Sequence, residues 1–364
     1  MSFREFLGNE ATVRHLRESI AADRLPHALI LSGPRGAGKY TLALKLAQTL
    51  NCLDPKQTDG LPDYCGVCSN CVRIGQATDL EARVDEAIAT REELREVDKK
   101  ETRILIQTHP DVLVIPPDPP QLLIKLGQVR TMIRAIYRMP AEAKRAVYIF
   151  TAASFMKEAA NSLLKVLEEP PAHANIVLLA ENLGDLLPTI RSRGSIFRLS
   201  AIPLDQIEKL LAERRTDWRS AQRSLVARLA QGAVGQALGF DLEGYLASRA
   251  DALLILRNAL RDPDYSALFR MTETYRAGAE GQEKTSKLLG AMLSLLEDLL
   301  LLRSGAPHLV RNIDIEKELA AMAPQVSLEW IEAAERGVDQ VRSGMRRNLL
   351  RSLALDAFAT DLVR

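Results

Sequence analysis

The chain has 364 residues, 47% of them hydrophobic and 26% charged. That is too long for one small core and apolar enough to fill two or three, which excludes an intrinsically disordered chain. With 48 Lys and Arg against 47 Asp and Glu the net charge is +1, which excludes binding to nucleic acid through an overall basic field; any such contact is local or comes through partners.

No membrane span is visible, because the apolar stretches 252–256 and 295–302 are short or carry charge. The first residues, Met1-Ser2-Phe3-Arg4-Glu5-Phe6, lack the apolar core of a secretion signal, so a cytoplasmic address is expected. Residues 10–22 have helical spacing, with Val13, Leu16 and Ile20 on one face. Residues 27–32 read as a short apolar strand, followed by a glycine turn and a helix over 41–50. Strand, glycine loop and helix in that order open a βαβ unit.

The turn, Gly33-Pro34-Arg35-Gly36-Ala37-Gly38-Lys39, fits the G-x-x-x-x-G-K part of a phosphate-binding loop. In such a loop the backbone N–H groups wrap phosphates at a helix start and the lysine reaches the outer ones. Gly33, Gly36, Gly38 and Lys39 are therefore candidate nucleotide contacts. The next position needs a small hydroxyl to bind Mg²⁺. Here it is Tyr40, whose phenol is too long, and Thr41 comes one residue late. No Mg²⁺ site is expected, and binding of ATP or ADP is in doubt.

All four cysteines lie in 52–71, as Cys52 followed by Cys65, Cys68 and Cys71 at two-residue gaps. Four thiolates so spaced can wrap a tetrahedral structural Zn²⁺. A redox pair of Cys65 and Cys68 is the competing reading. Residues 76–103 break the α/β alternation: charges dominate, and Leu80, Val84, Ile88 and Leu94 leave a thin apolar stripe, which predicts a solvated helical insertion.

Apolar strands follow at 112–115, 146–150 and 176–180, separated by helical stretches, which predicts a parallel sheet covered by helices. The strand 146–150 runs into Thr151-Ala152-Ala153-Ser154, where an ATPase would carry the acidic residue that orients Mg²⁺ and water. With Tyr40, that makes two parts of a hydrolysis site missing, and no ATPase activity is expected. After Pro203 the strands stop. A small helical segment covers 201–240, and 241–364 is leucine-rich and helical throughout, as in 287–302 and 330–341.

Other groups read as structural. His27 is expected to be packed or hydrogen-bonded. Glu168 and Glu169 resemble a carboxylate pair for acid–base chemistry, but before Pro170 and Pro171 they suit helix capping or a solvated helix end. Arg342, Arg346, Arg347 and Arg351 form a basic cluster suited to intersubunit ion pairs more than to DNA phosphates. The five histidines show no metal-ligand spacing.

Several runs together resemble the bacterial clamp-loader subunits of DNA polymerase III, of the AAA+ class. These are the phosphate loop with its cysteine module, Arg24-Leu25-Pro26-His27, His109-Pro110-Asp111, the run 161–171 ending Leu167-Glu168-Glu169-Pro170-Pro171, and Thr189-Ile190-Arg191-Ser192-Arg193. The resemblance covers residues 1–240; the C-terminal helices match in composition and position. It implies a P-loop α/β domain over 1–200 carrying the zinc module (52–71) and the insertion (76–103). A helical lid over 201–240 and a helical collar for oligomerisation over 241–364 would follow. The resemblance also implies nucleotide contact as the alternative role of His27.

Gly194 stands where the family has cysteine, and Gly235 where its motor subunits carry a sensor arginine. These departures, with Tyr40 and the acid-free strand end, resemble the delta prime branch. That branch implies an ATPase-deficient stator in a DNA polymerase assembly, acting in DNA replication. Arg193, beside Ser192, would be an arginine finger acting in trans on a neighbouring motor's ATP, with Arg191 the lesser candidate. The implied partners are gamma/tau motors and a delta subunit in a hetero-pentamer, and through them the sliding clamp and primed DNA. Rival readings are an ATP-hydrolysing gamma/tau-type subunit and a P-loop nucleotide kinase with a zinc lobe. The kinase would leave the helical tail unexplained.

Overall fold

The computed structural model describes residues 2–119, 122–260, 265–275, 279–346 and 350–362. The chain divides into two compact units, residues 1–203 with 232–236 and residues 204–231 with 237–364. The stretch 201–240, set apart by its composition, is shared between them.

The first unit opens with α1 (Glu10–Ala21), β1 (Ala28–Ser32) and α2 (Lys39–Asn51). A small lobe follows: β2 (Lys56–Thr58), β3 (Leu61–Asp63) and α3 (Ser69–Gly75). The insertion forms α4 (Leu80–Glu92) and α5 (Glu96–Glu101). Then come β4 (Ile106–His109), β5 (Val112–Ile115), α6 (Leu126–Ile136), β6 (Ala146–Phe150), α7 (Lys157–Glu168), β7 (Ala174–Ala180), α8 (Pro188–Arg191) and β8 (Ser195–Arg198).

Six strands form one sheet in the order β4-β5-β6-β7-β1-β8. All neighbours are parallel except β4, which turns back antiparallel on β5. The central strands β5, β6, β7 and β1 are buried at every position, as continuous apolar runs require when helices cover both faces. One face packs Leu29, Leu31, Val147 and Val177 against α1, α2 and the small lobe; the other packs Ile30, Tyr148 and Ile176 against α6 and α7. The strands the sequence did not announce, β4 and β8, lie at the edges, where Gln107, Ser195 and Arg198 meet solvent and no apolar run is needed.

The insertion is helical as expected, and α4 buries none of its residues. Its deepest contact is polar: Arg91 Nη1 donates to Asp118 Oδ1 at 2.7 Å, and Lys125 Nζ reaches the same oxygen at 3.1 Å.

The second unit is helical throughout its described residues. It contains α9 (Leu204–Arg214), α10 (Ser220–Leu229), the end of α11 (Val234–Leu238), α12 (Leu242–Leu260), α13 (Tyr265–Glu273), α14 (Ala279–Arg303), α15 (Glu316–Met322), α16 (Leu328–Arg346) and α17 (Arg351–Asp361). Its core joins Ile255, Tyr275, Leu296, Leu319, Val338 and Phe358. Asp298 is fully buried in it and accepts N–H groups from Arg311 and Asn312 at 2.9 Å each, so the turn before α15 is tied to α14. Among the described residues no helix is long and apolar enough to cross a membrane.

Candidate functional site

Three features predicted from sequence lie in the first unit: the phosphate loop, the cysteines and the Ser192-Arg193 turn. The loop joins β1 to the start of α2. Gly36 and Gly38 have φ of 79° and 85°, a region that side chains rarely adopt. Both positions are also crowded by protein. A Cβ on Gly38 would stand 2.9 Å from the Phe6 ring, and one on Gly36 would stand 2.8 Å from Gln236 Cγ. The Gly235 N–H donates to the Gly36 carbonyl at 2.9 Å, so the position where a motor-type arginine was sought instead anchors backbone to the loop.

Lys39 is turned onto its own loop: Nζ donates to the carbonyls of Gly33 at 2.6 Å and Pro34 at 2.7 Å. Burial draws its pKa below the ordinary lysine range. Tyr40 packs partly buried against the core. Its hydroxyl donates to the Ala77 carbonyl at 2.5 Å, and burial raises its pKa, so the phenol stays neutral. Thr41 is exposed on the outer face of α2.

At the end of β6, Thr151 uses its N–H on the Ile115 carbonyl. The carboxylate that does lie beside the loop is one that sequence reasoning missed. β7 pairs with β1 so that Ala180 is opposite Ser32, and the Gly33 N–H donates to the Ala180 carbonyl at 3.1 Å. The next residue, Glu181, therefore stands at the loop's first glycine. The sequence shows an acid after this strand but not that the strand neighbours β1.

The four cysteine sulfurs lie within 4.8 Å of one another. Cys52 ends α2, Cys68 caps α3, Cys71 lies in α3, and Cys65 follows the β2–β3 hairpin. The hairpin turns at Asp59 and Gly60, both with positive φ, as a two-residue turn of matching twist requires. Buried Arg17 on α1 holds that turn by donating to the carbonyls of Thr58, Leu61 and Pro62. The Cys52–Cys68 and Cys65–Cys71 sulfur separations are both 4.0 Å. A tetrahedral ion with Zn–S bonds of about 2.3 Å sets its sulfurs about 3.8 Å apart, so the residues fit a closed four-thiolate site. Burial opposes ionisation of Cys68, but N–H groups of Cys71 and Leu53 point at its sulfur and bring its pKa down to about 6.

Arg193 follows the single turn of α8. Its Nε donates to Glu168 Oε1 at 2.8 Å, its Nη2 reaches the same oxygen, and its Nη1 donates to the Thr189 carbonyl at 2.8 Å. Ser192 Oγ also donates to Thr189 O, at 3.1 Å, which closes the turn. Gly194 has no room for a side chain, since a Cβ there would lie 2.7 Å from Ile30 Cδ1.

The family model described as DNA polymerase III, delta subunit, matches residues 8–100 and 86–203, more than half of the chain. The chain belongs to this family. It is 27% identical to DNA polymerase III subunit tau of Salmonella typhimurium over 97% of this chain and 54% of that one. It is 32% identical to DNA polymerase III subunit delta' of Bacillus subtilis over 55% of this chain and 50% of that one. The chain thus spans about half the length of these curated relatives. Among solved structures, a DNA polymerase III gamma subunit-related protein of Thermotoga maritima aligns over 97% of this chain and 98% of that one, at 16% identity and a TM-score of 0.44.

The other landmark residues of this DNA polymerase III family chain are held by contacts within it or are exposed. His27 Nδ1 bonds the Ala174 carbonyl at 3.1 Å, joining the entry of β1 to β7. Glu168 is an exposed helix end, as expected, and it is also the partner of Arg193; Glu169 and Arg191 are exposed as well. Of the late basic cluster, Arg342 pairs with Asp339 on its own helix at 3.3 Å. Arg347 and the side chain of Arg346 lie outside the described residues.

Proposed function

We propose that this chain is a non-hydrolysing clamp-loader subunit of the delta prime type. It acts as a stator and presents Arg193 to ATP bound by a neighbouring motor. The observation that carries the reading is the Tyr40 hydroxyl on the Ala77 carbonyl. At the position where a working loop holds Mg²⁺, this side chain ties α2 to the start of the insertion. Lys39, folded onto Gly33 and Pro34, and Gly235, bonded to Gly36, support the same reading.

The action in trans needs no nucleotide in this chain. Arg193 sits on an exposed turn, and its guanidinium would exchange Glu168 for the charge that develops on a transferring γ-phosphate. Cys52, Cys65, Cys68 and Cys71 would hold a structural Zn²⁺, which would brace the small lobe and supply no chemistry to the reaction. In this reading the protein works in the cytoplasm with gamma/tau motors and a delta subunit in a hetero-pentamer that places a sliding clamp on primed DNA.

A second reading, a hydrolysing gamma/tau-type motor, is favoured by the tau relative that aligns along 97% of the chain. ATP turnover by the purified chain separates the two. The stator shows no turnover in Mg²⁺ yet joins motor and delta subunits in a defined complex. Robust turnover by the chain alone would reverse the assignment.

A further inference from the structure

The loop's positive charge has a neighbour of opposite sign. β7 and β1 run parallel in fixed register, and the Gly33 N–H on the Ala180 carbonyl holds the two strand ends together. Strands so paired are about 4.8 Å apart, which puts Glu181 beside the mouth of the loop. The backbone beyond it is also fixed. Asn182 caps the following turn: its Oδ1 accepts the Gly184 N–H at 2.9 Å, and Asp185 accepts the Asn182 N–H at 3.2 Å. Glu181 is exposed at this strand end, close enough for its charge to act on Lys39. Burial depresses Lys39, and the field of Glu181 works in the opposite direction.

In metal-assisted phosphate sites an acid at a strand end is useful because the cation stands between it and the phosphate. Tyr40 supplies no small hydroxyl for that cation. A bare carboxylate facing a phosphate is simply repulsive.

We infer that Glu181 is the resident anion of the phosphate loop, neutralising Lys39 in place of a nucleotide phosphate and excluding nucleotide from the site. This deepens the proposed function and rests on its reading that the loop lacks a metal.

The test is a titration of the purified full chain with fluorescent ADP in EDTA, for the wild type, Glu181→Gln, Lys39→Ala and the double variant. Glu181→Gln is isosteric and exposed, and thermal unfolding of each variant checks that it folds. It should bind ADP about tenfold or more tightly than the wild type. Adding Lys39→Ala should remove the gain. Equal affinity, or no detectable binding by either wild type or Glu181→Gln, overturns the inference. So does a Glu181→Gln chain that binds more weakly in Mg²⁺, which would make Glu181 a metal partner. ATP turnover by the wild type, measured on the same sample, tests the stator reading separately.

Discussion

Arg193 and Glu168, 25 residues apart in sequence, meet as a two-nitrogen ion pair, with Nε at 2.8 Å from Oε1 and Nη2 on the same oxygen. Both side chains are partly exposed, at 32% and 48%. Such a pair contributes about 0–1 kcal/mol, enough to hold a rotamer and too little to keep the guanidinium from a stronger anion. Under the proposed function, Glu168 is where Arg193 rests until a neighbour's phosphate replaces it.

Arg193→Ala should leave assembly intact, read by size-exclusion chromatography of a reconstituted loader. It should slow single-turnover hydrolysis at the adjoining motor site by about 10³. Glu168→Gln should keep the turn folded and leave that rate within about threefold, because in the proposed function Arg193 and not Glu168 meets the phosphate. An unchanged rate in Arg193→Ala would remove Arg193 from the mechanism.

The four-thiolate site makes its own prediction. The purified chain should carry one equivalent of zinc, and Cys71→Ser should carry close to none, by elemental analysis. Without the ion, the loop carrying Cys65 and Cys68 loses its tie, and β2, β3 and α3 are held by Tyr64 and Ile74 in the core, by the Arg17 contacts and by hydrogen bonds such as Gln48 to the Cys71 carbonyl. Their amide exchange should rise by about a hundredfold, while the sheet stays protected. Exchange that rises equally throughout the sheet would mean that the lobe is not an independent metal-dependent element.

What the sequence disclosed followed how local each signal is. The phosphate loop and the cysteine module are runs of neighbours, and β1, β5, β6 and β7 are apolar because they are covered on both faces. β4 and β8 escaped notice because edge strands alternate with solvent-facing residues. The partnerships that define the site stayed hidden for a different reason. Tyr40 with Ala77, Arg193 with Glu168 and Glu181 with the loop depend on strand order and helix placement, which no local pattern encodes.

The insertion is fastened by a buried ion pair as well as by Leu80 and Val84 against the core. Asp118 is almost fully buried and accepts both Arg91 and Lys125. Asp118→Ala would leave two cations facing each other without a counter-charge, at a cost of about 2–4 kcal/mol by urea denaturation. Arg91→Ala should cost less, but should raise amide exchange across α4, which has no fully buried residue. If α4 exchanges no faster in Arg91→Ala, the ion pair is not what fastens it.

His109 should give the fold a measurable pH dependence. It lies at the end of β4, 1% exposed. Its Nδ1 accepts the Asp111 N–H at 3.1 Å, which leaves the proton on Nε2, and that atom has no partner among the described residues. Burial, then the charge of Arg73, push its pKa below the usual 6.5, while Asp111 and Glu142 pull the other way. Above pH 6.5 the imidazole is neutral in both folded and unfolded chains and contributes no slope. As pH falls below that value the unfolded chain takes up a proton that the folded one refuses. Stability therefore drops, by at most about 1.4 kcal/mol per pH unit, until the folded pKa is reached. Asp111 does not intrude in this window. Its carboxylate is opposed by burial but accepts N–H groups from Ala141, Glu142 and Ala143, and the net shift is downward from 3.8. His109→Asn keeps an acceptor for the Asp111 N–H and removes the titration. Its stability should be close to wild type at pH 7.5 and should fall less between pH 6.5 and 5.5, measured by urea denaturation at each pH. Parallel losses in the two proteins would assign the slope to other groups.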